Sequence, residues 1–590
     1  MHQKKIIQAL VGIGCISLLA ACGGGGGSSG TPVSSTPSTQ YGKVNMGVTD
    51  GPSDTYNHVW VTVTAISFHT DANAVWSSAD ATWQTTTLPA PVTLDLAALN
   101  NGAMNNLFAN MSLPTGSYKQ IRFFFASDSD PLSATAQAIK DNEATPTALQ
   151  WNDQVEYTNT AGVTAEAPLE IAYPTQGIQL FGNFSVSTSS TLNLVTDFDL
   201  DKIVVPYNQD GNQAFTLRPD LRYYDLSQSG AISGTVDPTT LCQTVSTSNC
   251  AFNLIVHAET VSPDGTRHED VRSTSVNPVT GAFTVAPLAL KDSSGNSLTY
   301  DIVVRGRKMQ TMLITGVTPT GSFSAATGTT AATLTGGTAV QTAPLVAVAA
   351  PEYGSNLLAP LGPLTSGYVI FQQTLPISGV ATPLPYEIRW SGTDPYTGLF
   401  YRGGCFNSNF MLANAPVLVA PYNGGNTLAF AAVTPTEGVG GYSVAANEVA
   451  YYNLSSNLPI VAPVSGIAQF TPLAPSLKSA VVSGSIGGTI AIGNIGSFDH
   501  ATLVIARLGQ VTTSVDISSL LAAGGGTFSV GNIPSGSATA AVPGAYYYAY
   551  IRMWKHNVNQ HVKIVPIAGA IDLRTTSSVT GMNVTVTVPN

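Results

Sequence analysis

From residue 41 onward, apolar side chains recur at every second position in short runs separated by turn residues. Val59, Val61 and Val63 alternate with Trp60, Thr62 and Thr64, the period of a strand buried on one face. The same pattern predicts strands at Lys43–Val48, Lys119–Phe125, Gly177–Val186, Thr191–Phe198 and Phe215–Leu221. Thr49-Asp50-Gly51-Pro52 and Leu113-Pro114-Thr115-Gly116 supply turns between them, and Leu94–Leu99 predicts a short helical piece. Farther on the pattern repeats itself. Ala231–Val236 is echoed by Val481–Ile486, Gly281-Ala282-Phe283-Thr284-Val285 by Gly526-Thr527-Phe528-Ser529-Val530, and Tyr300–Arg305 by Tyr548–Arg552, in the same order. In G-x-F-x-V the glycine permits a tight turn, and Phe and Val two apart share one face of a strand. Asp264-Gly265 marks a hairpin. Pro376–Val380 and Gly441–Val444 echo the landmarks weakly, so 351–478 reads as a third, divergent unit. The whole predicts an all-β, multi-domain chain of antiparallel β-sandwiches.

The first forty residues do not fit that pattern. Lys4 and Lys5 precede an apolar run, Ile6 to Leu19, which is too short to span a bilayer comfortably and has the form of a secretion signal. It ends in Leu19-Ala20-Ala21-Cys22, which resembles the lipobox of bacterial lipoproteins. The resemblance implies cleavage before Cys22 and acylation of its sulfur and amine. Each buried methylene of such chains adds ~0.8 kcal/mol of membrane affinity. Gly23 follows, which by resemblance to Gram-negative sorting favours the outer membrane. Residues 23–40, GGGGGSSGTPVSSTPSTQ, have nothing to build a core from and read as a flexible tether. The expected organisation is a signal peptide (1–21), a lipidated tether (22–40), and sandwiches at 41–226, 229–350, 351–478 and 479–590.

The segment 41–226 carries a more specific signal. TDGPSD (49–54), LDL (94–96), LPTGSYKQIRF (113–123), DFDLDK (197–202) and FTLRPDLR (215–222) occur in this order. Together they resemble the family called domain of unknown function 4382, found at the N-terminus of bacterial lipoproteins. That resemblance implies a β-sandwich, likened to carbohydrate-binding modules, with no catalytic residues to transfer. The repeated landmarks at 229–350 and 479–590 resemble carboxypeptidase regulatory-like, transthyretin-type sandwiches, which bring no chemistry of their own.

Charged residues are only 10% of the chain and net charge is −11. Loss of Lys4 and Lys5 leaves 21 basic against 34 acidic residues, or −13. Nothing basic suggests a nucleic-acid partner, and no cofactor motif is present. Cys242 and Cys250 bracket CQTVSTSNC. In an oxidising compartment they suit a disulfide closing a short loop. The spacing also suits half a metal site, but no second pair completes it. Cys405 is left over as a buried thiol.

Asp197, Asp199 and Asp201 alternate in DFDLD. On a strand they share a face, either a solvated one or, with Asp50 and Asp54, a weak calcium candidate. His556 and His561 flank a loop and form a weak transition-metal pair, the alternative being two exposed side chains. His268-Glu269-Asp270 reads as the exposed strand of a charged hairpin. Gly26-Gly27-Ser28-Ser29-Gly30 matches G-x-S-x-G, but it lies in the tether, without the strand and helix that a nucleophile elbow needs. Trp60, Trp151, Trp390, Trp554 and the face Tyr546, Tyr548, Tyr550 serve either the cores or a flat sugar-stacking strip. The expectation is a non-catalytic cell-envelope lipoprotein that displays and binds, to glycan or a surface protein, with the membrane as partner through its lipid. The alternatives are a surface glycan-processing hydrolase and a purely structural envelope lipoprotein.

Overall fold

Strand Tyr41–Thr49 buries Val44, Met46 and Val48, and strand Tyr56–His69 buries Val59, Val61 and Val63 against them. Alternation thus places the inner faces of two sheets in one core. The computed structural model describes residues 39–587 apart from scattered stretches, the longer being 143–148, 244–253, 361–367, 403–409, 436–441, 460–466 and 469–475. The first sheet of the N-terminal sandwich runs 222–225, 191–197, 41–49, 105–114. The second runs 204–209, 212–217, 164–171, 154–158, 56–69, 116–125, 178–186, with Gln84–Asp95 also paired to 56–69. A bulge between Val63 and Ala65 lets the long strand 56–69 serve different neighbours along its length. A 3-10 turn at Leu96–Ala98 stands where a helical piece was expected.

The expected strand through 197–201 does not form. Strand 191–197 stops at Asp197, Asp199 is left-handed (φ +35°), and Leu200–Ile203 make one helical turn. Phe198, Leu200 and Ile203 are all fully buried, a spacing that a strand cannot direct to one side but a turn can. Asp50 Oδ1 accepts the Leu200 N–H at 3.0 Å and caps that turn.

The next sandwich sets Ser229–Thr235 between Ala282–Ala289 and the short strand Thr338–Ala339. Its other sheet runs 268–275, 255–261, 300–305, 312–317. The C-terminal sandwich has the same topology. Val482–Ile492 lies between Gly525–Ser535 and Ser578–Val586, facing 510–516, 500–507, 546–554, 563–566. Gly281 adopts φ +71°, and Phe283 and Val285 point into the core, as do Phe528 and Val530.

The segment 351–478, read above as a sandwich of its own, lends strands to its predecessor's sheet. Tyr368–Thr374, Pro385–Gly392 and Tyr442–Asn447 continue that sheet beyond 268–275, and Val417–Pro421 continues it beyond 312–317. Residues 376–380 form the turn between two of these strands, with Gly379 at φ +88°. Among the described residues, no helix is long and apolar enough to cross a membrane.

Candidate functional site

The ionisable residues gather where the N-terminal sandwich meets the rest of residues 41–590. Arg272, on strand 268–275, is 1% exposed and enters the N-terminal sandwich. Its Nη1 donates to Asp197, its Nη2 donates to Thr49 Oγ1 and to the Asp50 carbonyl at 2.8 Å each, and its Nε donates to the Ala286 carbonyl at 3.0 Å. Thr49 and Asp197 are register partners at the ends of parallel strands, which is why their side chains converge. Burial, with Asp197 and Asp199 close by, pushes the Asp50 carboxyl well above the usual carboxylate range. Burial also raises Asp197, against the opposing pull of Arg272.

Beside this contact, Lys202 is held by three acceptors. They are Asp199 Oδ2 at 3.1 Å, Glu387 Oε1 at 3.6 Å and the Asp270 carbonyl at 2.6 Å. Burial opposes its charge, but Asp199, Glu387 and Asp270 outweigh that and raise its pKa. Burial would raise Asp270 too, but His257, at 2.8 Å, and Lys202 hold it below the usual range. Arg222 pairs with Glu269. A cavity of about 30 Å³ lies among Asp199, Asp201, Lys202, His257, Asp270 and Glu387, room for about two ordered waters.

A second cluster joins the N-terminal and C-terminal sandwiches. Arg552 Nε donates to Glu170 Oε2 at 2.8 Å and its Nη2 to Tyr207 Oη at 2.7 Å, while Tyr396 Oη donates to Glu170 Oε1. Burial works against the Arg552 charge, yet Glu170 and Tyr207 raise its pKa. Trp554 Nε1 donates to Asp210 Oδ2 at 2.7 Å, which also takes His556 Nδ1 at 3.1 Å.

These contacts redistribute the residues singled out in the sequence. Asp197, Asp199 and Asp201 do not share a strand face. They turn to Arg272, to Lys202, and to Ser53 and Arg389 respectively. Among the described residues, no three His, Cys, Asp or Glu side chains are grouped to hold a metal ion. His268-Glu269-Asp270 is not an exposed strand, because it lies between the sandwiches with Asp270 7% exposed. The Tyr546, Tyr548, Tyr550 face is no open strip. Tyr548 and Tyr550 pack with Ala172 of the N-terminal sandwich and with Val504 and Val511. Trp151, Trp390 and Trp554 are buried. Trp390 packs against Tyr368, the ring planes tilted by 35°, under the Arg218 guanidinium. Trp60 alone of the four stays half-buried, stacked on His58, whose Nδ1 meets Asp95 at 2.6 Å. Cys22, Asp54, Cys250, Cys405 and His561 lie outside the described residues, as does the side chain of Cys242, whose backbone lies in the last turn of a short helix, Pro238–Gln243. Glu170, Tyr207 and Tyr396 carry no local pattern that marks them in the sequence, and Arg552 is marked only as the end of the repeated strand Tyr548–Arg552.

The motif residues at 49–54, 94–96, 113–123, 197–202 and 215–222 all fall in the first sandwich and its edge toward the next. Residues 41–219 match the family described as Domain of unknown function (DUF4382). The DUF4382 segment therefore coincides with the N-terminal sandwich, about a third of the chain. No curated protein matches the chain. Among solved structures it is similar to a streptococcal ancillary pilin, at 11% identity over 60% of this chain and 98% of that one, TM-score 0.11. It is also similar to BcpA, the major pilin subunit of Bacillus cereus, at 10% identity over 61% and 99%, TM-score 0.11. At those scores the fold assignment rests on the strand topology itself.

Proposed function

We propose that this chain is a non-catalytic envelope lipoprotein that presents a rigid body of sandwiches and binds a surface component, glycan or protein. The observation that carries this reading is where the chemistry-bearing side chains go. Asp50, Asp197, Glu170, Glu387, Lys202, Arg272 and Arg552 are all buried in contacts that join one part of residues 41–590 to another. A glycan-processing hydrolase needs two carboxyls open to substrate, one of them held protonated by a raised pKa. The carboxyls raised here, Asp50, Asp197, Glu259 and Glu387, are all buried, none more than 3% exposed, which weighs against that alternative. In this reading the lipid on Cys22 ties the body to the outer membrane of a Gram-negative cell, residues 23–40 give it reach, and Cys242 and Cys250 close a loop. The half-buried Trp60, with His58 and Asp95 at its edge, is the candidate contact for a ligand. The test is binding of the purified mature chain to arrayed glycans and to intact cells. Retention without product release is expected, with Trp60→Ala weakening it about tenfold or more. Turnover of a bound glycan, or no retention on either surface, rejects the reading. Loss of membrane association in Cys22→Ala tests the anchor separately.

A further inference from the structure

We propose that Thr49, the Asp50 carbonyl and Asp197 form a guanidinium-specific docking socket in the N-terminal sandwich, and that Arg272 is its occupant from within the same chain. Three observations converge on it. The socket presents acceptors of different kinds in different directions: a carboxylate, a hydroxyl and a carbonyl. A planar fork meets all three at once, while an ammonium on a flexible stem presents a single point. The rim is also shaped for close approach. A Cβ added to Gly51 would come within 2.9 Å of Ser273 Oγ, one residue beyond Arg272. Finally, the socket is built from residues that the N-terminal segment contributes from two separate motifs, TDGPSD and DFDLDK, while the guanidinium comes from outside residues 41–219. The two motifs therefore meet around a group that their own segment does not supply.

The socket has one more carboxyl than it has guanidinium charge. Asp50 Oδ1 is taken by the Leu200 N–H, and among the described residues Asp50 Oδ2 has no hydrogen-bond partner. The charged groups around Asp50 are Asp197, Asp199 just past the end of strand 191–197, and Arg272 from the second sandwich, while Arg222 and Tyr224 of strand 222–225 stand beside Asp197. Among the described residues, Arg272 is the one that bonds the socket's three acceptors together. The socket thus reads one cation of defined shape, and its filling sets whether the two sandwiches are closed on each other.

The test uses the full mature chain and amide hydrogen exchange. In Arg272→Ala, strands 41–49, 191–197 and 268–275 are expected to exchange at least about tenfold faster than in the wild type. Guanidinium chloride, kept below denaturing concentration, is expected to restore most of that protection by occupying the emptied socket. Sodium chloride at equal ionic strength and urea, which has the shape without the charge, are expected not to. Arg272→Lys is expected to behave like the alanine variant. Equal rescue by sodium chloride, wild-type protection in Arg272→Lys, or faster exchange spread evenly over the whole chain each overturns the proposal. If Arg272→Ala does not fold, Thr49→Val removes one acceptor and leaves the ion pair. Faster exchange confined to those same three strands is then expected, and unchanged exchange overturns the proposal.

Discussion

Asp50 is a buried acid whose neighbours are mostly acids. Its carboxyl is raised by burial first, then by Asp197 and Asp199, with Arg272 pulling the other way. Between the unfolded value of about 3.9 and the raised folded value, the folded chain keeps a proton that the unfolded chain has released. Stability therefore falls as pH rises through that window. Asp50→Asn keeps the acceptor for the Leu200 N–H and carries no charge to bury. It is expected to gain on the wild type as pH climbs from 5 to 8, measured by urea denaturation at both pH values. A difference between variant and wild type that does not grow with pH rules this out. The sequence marked these residues without revealing their use. DFDLD stood out because acidic residues alternate, but the partner that decides its role, Arg272, lies 75 residues away. Glu170 has no local signal, and Arg552, 382 residues away, stands out only as the last residue of a repeated strand. A buried ion pair between distant segments leaves no period to read.

At the level of strands and turns, the chain was far more legible. Alternation located the strands at 41–49, 56–69, 116–125 and 178–186, because one buried face imposes a period of two. Gln84–Asp95 and Asn105–Pro114 escaped it, since prolines in the first and asparagines in the second obscure the alternation. The G-x-F-x-V turn was read for the right reason. Gly281 sits at φ +71°, and a Cβ there would lie 1.8 Å from the Val236 carbonyl oxygen. Gly281→Ala is thus expected to cost about 2–4 kcal/mol through backbone strain and displacement of strand 229–235. Gly265→Ala, also at positive φ but with open space around it, is expected to cost only about 1 kcal/mol. Urea midpoints for the two variants compare them directly, and equal losses would mean that crowding at Val236 is unimportant.

For the whole body of residues 41–590, the unexpected feature is that the N-terminal sandwich contacts both of the others. A row of sandwiches joined only in chain order would bring the first against the second alone. Here Arg272 fixes the first to the second and Arg552 fixes the first to the last. Neither interface could be read from hydrophobic pattern, because each is built around polar groups that resemble solvated positions in the sequence. Such interfaces depend on every partner being present. Removing one charge leaves the other buried alone, at a cost of about 3–5 kcal/mol. Arg552→Met would strand Glu170, which is 2% exposed, and remove the donor that Tyr207 accepts from. Wild-type residues 41–590 are therefore expected to unfold in one calorimetric transition, since opening either interface breaks its whole set of buried hydrogen bonds and, beside Arg552, exposes the apolar cluster of Ala172, Val504, Val511, Tyr548 and Tyr550. In Arg552→Met the C-terminal sandwich loses its tie while the Arg272 contact stays intact, so two transitions are expected, the lower belonging to 479–590. Hydrogen exchange during the lower transition should place the loss in strands 500–507 and 546–554. A single transition at the wild-type temperature would mean that Arg552 only decorates an interface held by Tyr548, Tyr550 and their apolar neighbours.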